Sequence, residues 1–332
     1  MDEMDLNPVR AGLPAAPDQK KARRDFSRLG FALLTFFVAA AVLQGLAGYL
    51  LSLPGVPRSP LVSWGLGYIV PLYVIGVPLT LLVMRGVPAE RVEPQRLGFG
   101  KLIAFLLMCF PIMYAGNLVG TLMSYMFSGG SAENPLESLV MDSSWIQVVV
   151  LAVLAPLFEE FIFRKQLIDR IGRYGEKTAI FFSALTFGLF HGNLYQFFYA
   201  FALGLLFAWI YTRTRKLRYS FFLHMCVNFW GSVVAPWILT NTDLGVVDEV
   251  LAGNMDVDIS GLLPLYAYSF ALLALVIAGL VLLIRRRRDF LLLPTAEQLP
   301  RGSGFRISCL NPGVILFAIA CMGVFVYSLL LA

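Results

Sequence analysis

The stretch AIFFSALTFGLFHGNLYQFFYAFALGLLFAWIY, residues 179–211, runs for 33 residues without one Asp, Glu, Lys or Arg. A bilayer crossing needs about 20 predominantly apolar residues. The second part, 194–211, approaches that length, whereas the first part, 179–191, falls short. The two meet at His191-Gly192-Asn193. Non-helical backbone survives at membrane depth only where protein or a water-filled cavity surrounds it. The stretch therefore reads as a helical hairpin that turns before the far surface, in a protein-lined region. Working outward, seven more apolar segments lie at 27–51, 62–84, 102–127, 145–163, 219–239, 262–284 and 314–331. The chain is 58% hydrophobic and 14% charged, with a mean hydropathy of +0.74. Soluble domains carry about 25% charged residues. The expected fold is all-α, a polytopic transmembrane helix bundle of about nine spans.

Loop charge orients the bundle. Of the 26 basic residues, 25 fall in the N-terminal tail or in every second loop: after 62–84, after 145–163, after 194–211 and after 262–284. Only Arg58 falls on the other side, where Glu133, Glu137, Asp142, Asp243, Asp248, Glu249, Asp256 and Asp258 gather. The positive-inside rule then predicts a cytoplasmic N-terminus and an external C-terminus. The excess charge of +5 belongs to these loops and points to anionic lipid headgroups, not to nucleic acid. Residues 1–26 are charged and Pro/Ala-rich, and read as a disordered cytoplasmic tail followed by a retained first helix, with no signal peptide. The remaining units are 27–140, three plain helices; 141–240, a core of four segments with intramembrane polar groups; and 241–332, two further helices around a basic cytoplasmic loop. Asn117, in the third segment, reads as an interhelical hydrogen bond. The four cysteines have no paired spacing, so neither a disulfide framework nor a zinc site is indicated. Arg-rich loops and compact length suggest a multi-pass protein of a bacterial inner membrane.

The core concentrates the chemistry. Ionisable groups are costly in a bilayer, so an intramembrane cluster is a functional-site hypothesis by default. Glu160 and Arg164 are four apart and share a helix face, while Glu159 is turned about 100° away. The two carboxylates therefore have different neighbours, one ion-paired and one available as a base. Both histidines of the chain lie in apolar stretches, His191 four residues after Phe187 and His224 four before Asn228. An imidazole and an amide on one face can donate hydrogen bonds to a developing oxyanion. Pro156, one turn before the acids, can kink its helix and free a carbonyl. Taken singly, the ion pair reads as a juxtamembrane contact and each histidine as a satisfied interhelical contact. Their conjunction reads as a hydrolytic site. There is no HExxH, Asn is a poor zinc ligand, and Ser183 and Ser220 have no motif context; neither metal nor cofactor is expected. Depth is a difficulty: counted along its own segment, His224 lies about 8 Å in and His191 about 20 Å in.

E-E-x-x-x-R at Glu159-Glu160-Arg164, F-x-x-x-H at Phe187-His191 and H-x-x-x-N at His224-Asn228 resemble the three motifs of the CPBP family, the CAAX prenyl endopeptidases and bacteriocin-processing (Abi) proteins. The resemblance covers about residues 141–240. It implies an intramembrane glutamic endopeptidase acting on a membrane-bound or lipidated, for instance prenylated, peptide. Glu159 with His191 would activate water, His224 with Asn228 would stabilise the oxyanion, and Glu160 with Arg164 would hold the site. Lys165 departs from the small residue that many relatives carry there. The expected cavity is water-accessible and opens toward the cytoplasmic leaflet. Two other readings fit the residues: a catalytically silent scaffold or immunity-type protein, and a proton-coupled transporter using Glu159, Glu160 and His191.

Overall fold

The computed structural model describes residues 17–134, 144–254, 256 and 258–330. Among the described residues all regular structure is helical. The helices are α1 Gln19–Ser52, α2 Pro60–Met84, α3 Phe99–Ser128, α4 Trp145–Tyr174, α5 Glu176–Phe190, α6 Leu194–Thr214, α7 Leu217–Thr240, α8 Gly245–Leu251, α9 Ile259–Arg285, α10 Gly304–Cys309 and α11 Pro312–Leu330. Eight of them are long and apolar enough to cross a membrane. Large apolar side chains such as Val42, Leu122 and Phe270 face outward, as a lipid surround requires. The protein is an integral membrane protein with an all-α bundle fold.

The ninth apolar segment is α5, and its 15 residues reach only about 22 Å. Gly192 turns the chain with φ +69°. Asn193 then caps α6, its side chain accepting from the Gln196 N–H at 2.9 Å and donating to the His191 carbonyl at 2.9 Å. The hairpin tip packs on α3. A side chain at Gly120 would press on the Leu194 carbonyl at 2.5 Å, and one at Gly116 on the Tyr199 backbone at 2.5 Å, so only glycine lets these helices approach. Gly120 is eight residues from the end of α3, or about 12 Å, so the turn lies inside the bundle as expected.

Two expectations need correction. Residues 1–16 and the loop 135–143 lie outside the described residues, but 19–26 are helical. Asp18 accepts from the N–H groups of Lys20 and Lys21 at 2.9 and 3.0 Å and so caps α1. Ala22 and Phe26 are buried there, and Asp25 accepts a 2.6 Å hydrogen bond from the Tyr174 hydroxyl. Asn117 was expected between helices; it lines a cavity instead.

The face that carries the basic loops is tied shut. Arg213, near the end of α6, binds Glu176 at the start of α5 at 3.0 and 2.5 Å. The segment after α9 crosses these ends: Arg213 donates to the Leu291 carbonyl, Leu293 N–H to Glu176 at 2.6 Å, and Leu299 N–H to the Tyr174 carbonyl at 3.0 Å. The loop before α3 adds Glu90 N–H to the Asp169 carbonyl at 2.6 Å and Gln95 N–H to the Thr214 carbonyl at 2.8 Å.

Candidate active site

α4 supplies three of the charged groups. Its backbone widens into π turns at Val149–Leu154 and Glu160–Gln166, on either side of Pro156. In the first, the Ala155 N–H bonds five residues back to Val150. The next bond in that register would join residue 156 to Leu151, but proline has no N–H to give. The Leu151 carbonyl is freed, as the sequence suggests, and the Asn228 amide of α7 donates to it at 2.9 Å. A backbone vacancy on one helix thus holds a side chain of another, and it leaves the second Nδ2 proton of Asn228 for another acceptor.

Glu160 and Arg164 pair at 3.2 Å and both are fully buried. Arg164 also donates to Ser183 Oγ at 3.1 Å, and its guanidinium lies 4.5 Å from the centre of the Phe187 ring. Ser183 donates in turn to the Phe163 carbonyl at 2.6 Å. Such a pair is costly to desolvate and depends on these added bonds. His224 sits between the two acids, with Nδ1 at 3.1 Å from Glu160 and Nε2 at 3.6 Å from Glu159.

His191 bonds through Nδ1 to its own-helix Phe187 carbonyl at 2.9 Å. A carbonyl only accepts, so Nδ1 carries the proton and Nε2 of the neutral ring carries the lone pair. The depth difficulty is resolved by Phe187. His191 and His224 both pack edge-on against its ring, at 4.8 and 5.6 Å between centroids.

A cavity of about 360 Å³ gathers Glu159, Phe187, His191, His224 and Asn228. Glu160 and Arg164 stand behind it. The imidazole against Glu159 is that of His224, not the His191 suggested from sequence. Lys165 points away, half-exposed, and pairs with Asp169 at 3.4 Å. Among the described residues, no group of three or more His, Cys, Asp or Glu is arranged to hold a metal ion.

Sequence reasoning missed several wall residues. Gln196 and Tyr199 join at 3.1 Å on α6. Trp230 donates to the hydroxyls of Tyr114 and Tyr268 at 3.0 and 3.1 Å. Ser183 was legible in principle, since 183, 187 and 191 recur every four residues and share a face. The cavity also extends toward the face opposite the basic loops. Its lining includes Asn117, Asn134, Gln196 and Ser232, all on the side of the bundle remote from the basic loops.

Residues 141–230 match a family model, type II CAAX prenyl endopeptidase Rce1-like. This segment is similar to the CPBP family. The candidate membrane peptidase YdiL of Bacillus subtilis (strain 168) is 30% identical to the chain over 158 residues. That stretch is 45% of this chain and 64% of YdiL, so the chain spans less than two thirds of that relative's length. No solved structure matches the chain. All three motif pairs lie within the matched segment, and the flanking helices α1 to α3 and α8 to α11 lie outside it.

Proposed function

We propose that the CPBP core is an intramembrane endopeptidase that uses a glutamate-activated water on a membrane-associated peptide. The observation that carries this reading is His224 held between Glu159 and Glu160, on a cavity also lined by His191 and Asn228. Glu159 takes a proton from water while His191 Nε2 orients that water. The oxygen bonds to the scissile carbonyl carbon, and the carbonyl oxygen becomes an oxyanion. His224 and the free Asn228 N–H donate to it. The C–N bond then breaks, and the leaving nitrogen takes the proton back from Glu159. Proton transfer of this kind contributes about 10²–10⁴-fold, and an oxyanion donor a comparable factor. Glu160, Arg164 and Ser183 position His224 and do not touch substrate.

The test is incubation of the purified full chain with a library of membrane peptides, prenylated and unprenylated, beside Glu159→Gln. Cleavage by the parent alone supports the reading. Equal cleavage by both, or by neither, overturns it.

A further inference from the structure

The cavity is one-sided. Much of the lining sits at mid-length or in the half away from the basic loops, while His224 of α7 and Phe207 of α6 lie in the nearer half. Asn117 lies in the last half of α3, Gln196 in the first turn of α6, and His191 just past the end of α5. Asn134, beyond the end of α3, extends the lining outward. Below the site the bundle is solid. Ile168, Ser183, Ala208 and Tyr211 are buried at 0–1% exposure. Beneath them the loops described above are bonded across the helix ends. On the opposite side, α7 from Trp230 to Thr240 has no buried residue at all.

The two faces also differ in charge. Arg58 is the lone basic residue of the face toward which the cavity extends. Glu133, Asp243, Asp248, Glu249, Asp256 and Asp258 are exposed there. The amide and hydroxyl of Ser260 hold the Asp258 carboxyl below its usual range, so that acid stays ionised. Inside, Met113, Leu151, Leu203 and Val227 make the walls apolar. An acidic rim over an apolar chamber attracts cationic chains and then desolvates them.

We propose that the site is served only from the face opposite the basic loops. Its substrate class is then a membrane-anchored peptide whose cleavable segment lies on that face, apolar at the scissile bond and basic in its flank. A prenylated C-terminus presented on the basic-loop face is not reached. This rests on the peptidase reading for the cleavage step, but access is a separate measurement.

The access experiment uses the full chain in sealed membrane vesicles of both orientations and a membrane-impermeant maleimide. Asn117→Cys reports the cavity; the exposed positions Asn254→Cys and Lys177→Cys report the two faces, and the parent with its own four cysteines is the blank. Asn117→Cys should label only in vesicles that label Asn254→Cys. Labelling together with Lys177→Cys, or in neither orientation, overturns the proposal. The second arm presents one anchored peptide, apolar with a Lys/Arg flank, on either face. Cleavage that needs Glu159 should occur on the Asn254 face alone, and an Asp/Glu flank should abolish it. Cleavage on the Lys177 face, or indifference to the flank, overturns the substrate class. Correct labelling with no cleavage on either face overturns the peptidase reading instead.

Discussion

Glu159 and Glu160 are adjacent, yet one faces the cavity and the other is sealed against Arg164. That difference predicts different failures. Glu159→Gln should abolish turnover with little change in thermal melting. Glu160→Gln strands a buried guanidinium, and breaking such a pair costs about 3–5 kcal/mol. Its main symptom should be a lowered melting temperature, measured beside turnover. A stable, inactive Glu160→Gln with an active Glu159→Gln would exchange the two roles. Asn228→Ala should lower turnover by about 10²–10³-fold, the effect of one lost oxyanion donor. It also leaves the Leu151 carbonyl unpaired, so a modest loss of stability should accompany it. The chemistry-bearing residues were legible in sequence because charge and imidazole stand out in apolar runs. Their pairing was not. Counting along each segment from its own end ignores that α5 starts level with Arg213 of α6, an offset made by a contact 37 residues apart in sequence.

Pro156 gives the sharpest prediction for a single element. Proline inside a helix costs roughly 3 kcal/mol and leaves a carbonyl open. Pro156→Ala should restore the N–H that Leu151 lacks, so the backbone competes with Asn228 for one acceptor. The expected outcome is a more stable protein with a slower reaction, read as a higher melting temperature and a lower kcat. If kcat is unchanged, Asn228 does not depend on the vacancy. The freed carbonyl was foreseeable from the proline; its partner, 77 residues away, was not. The short hairpin was equally readable, because 13 apolar residues ending in His-Gly-Asn cannot cross. The start of α1 was misjudged, since the cap at Asp18 and the buried Asp25 look like ordinary tail charges until Tyr174 is folded against them.

For the whole molecule, 25 of 26 basic residues on one face predict a cytoplasmic N-terminus and an external C-terminus. Reporter fusions after Leu53, Gly130 and Asn254 should report the outside, and those after Pro88, Lys216 and Pro300 the cytoplasm. Eight helices are long enough to cross. Counting them alone would put both termini on one side, and α5 restores the odd number. A result with both termini in the cytoplasm would sink this arrangement. Charge made the loops readable, but the cavity's direction was not. It depends on which half of each helix is packed, and apolar residues look alike whether they face lipid, a neighbour or a chamber.

The cluster of Glu159, Glu160, Arg164 and His224 has a consequence for biogenesis. α4 leaves the ribosome with Glu159, Glu160 and Arg164 in its buried stretch, while the imidazole that sits between the two acids follows 64 residues after Glu160 on α7. Each uncompensated charge at mid-membrane costs about 2.5–3.5 kcal/mol on insertion. During synthesis α4 is therefore the least secure span, held in place only when α7 arrives. Chains released after Lys216 should lose the membrane-integrated state of α4, scored by glycosylation or protease mapping, and His224→Ala should slow its integration in the full chain. The order in which helices enter the bilayer is then part of how an acidic site can exist there.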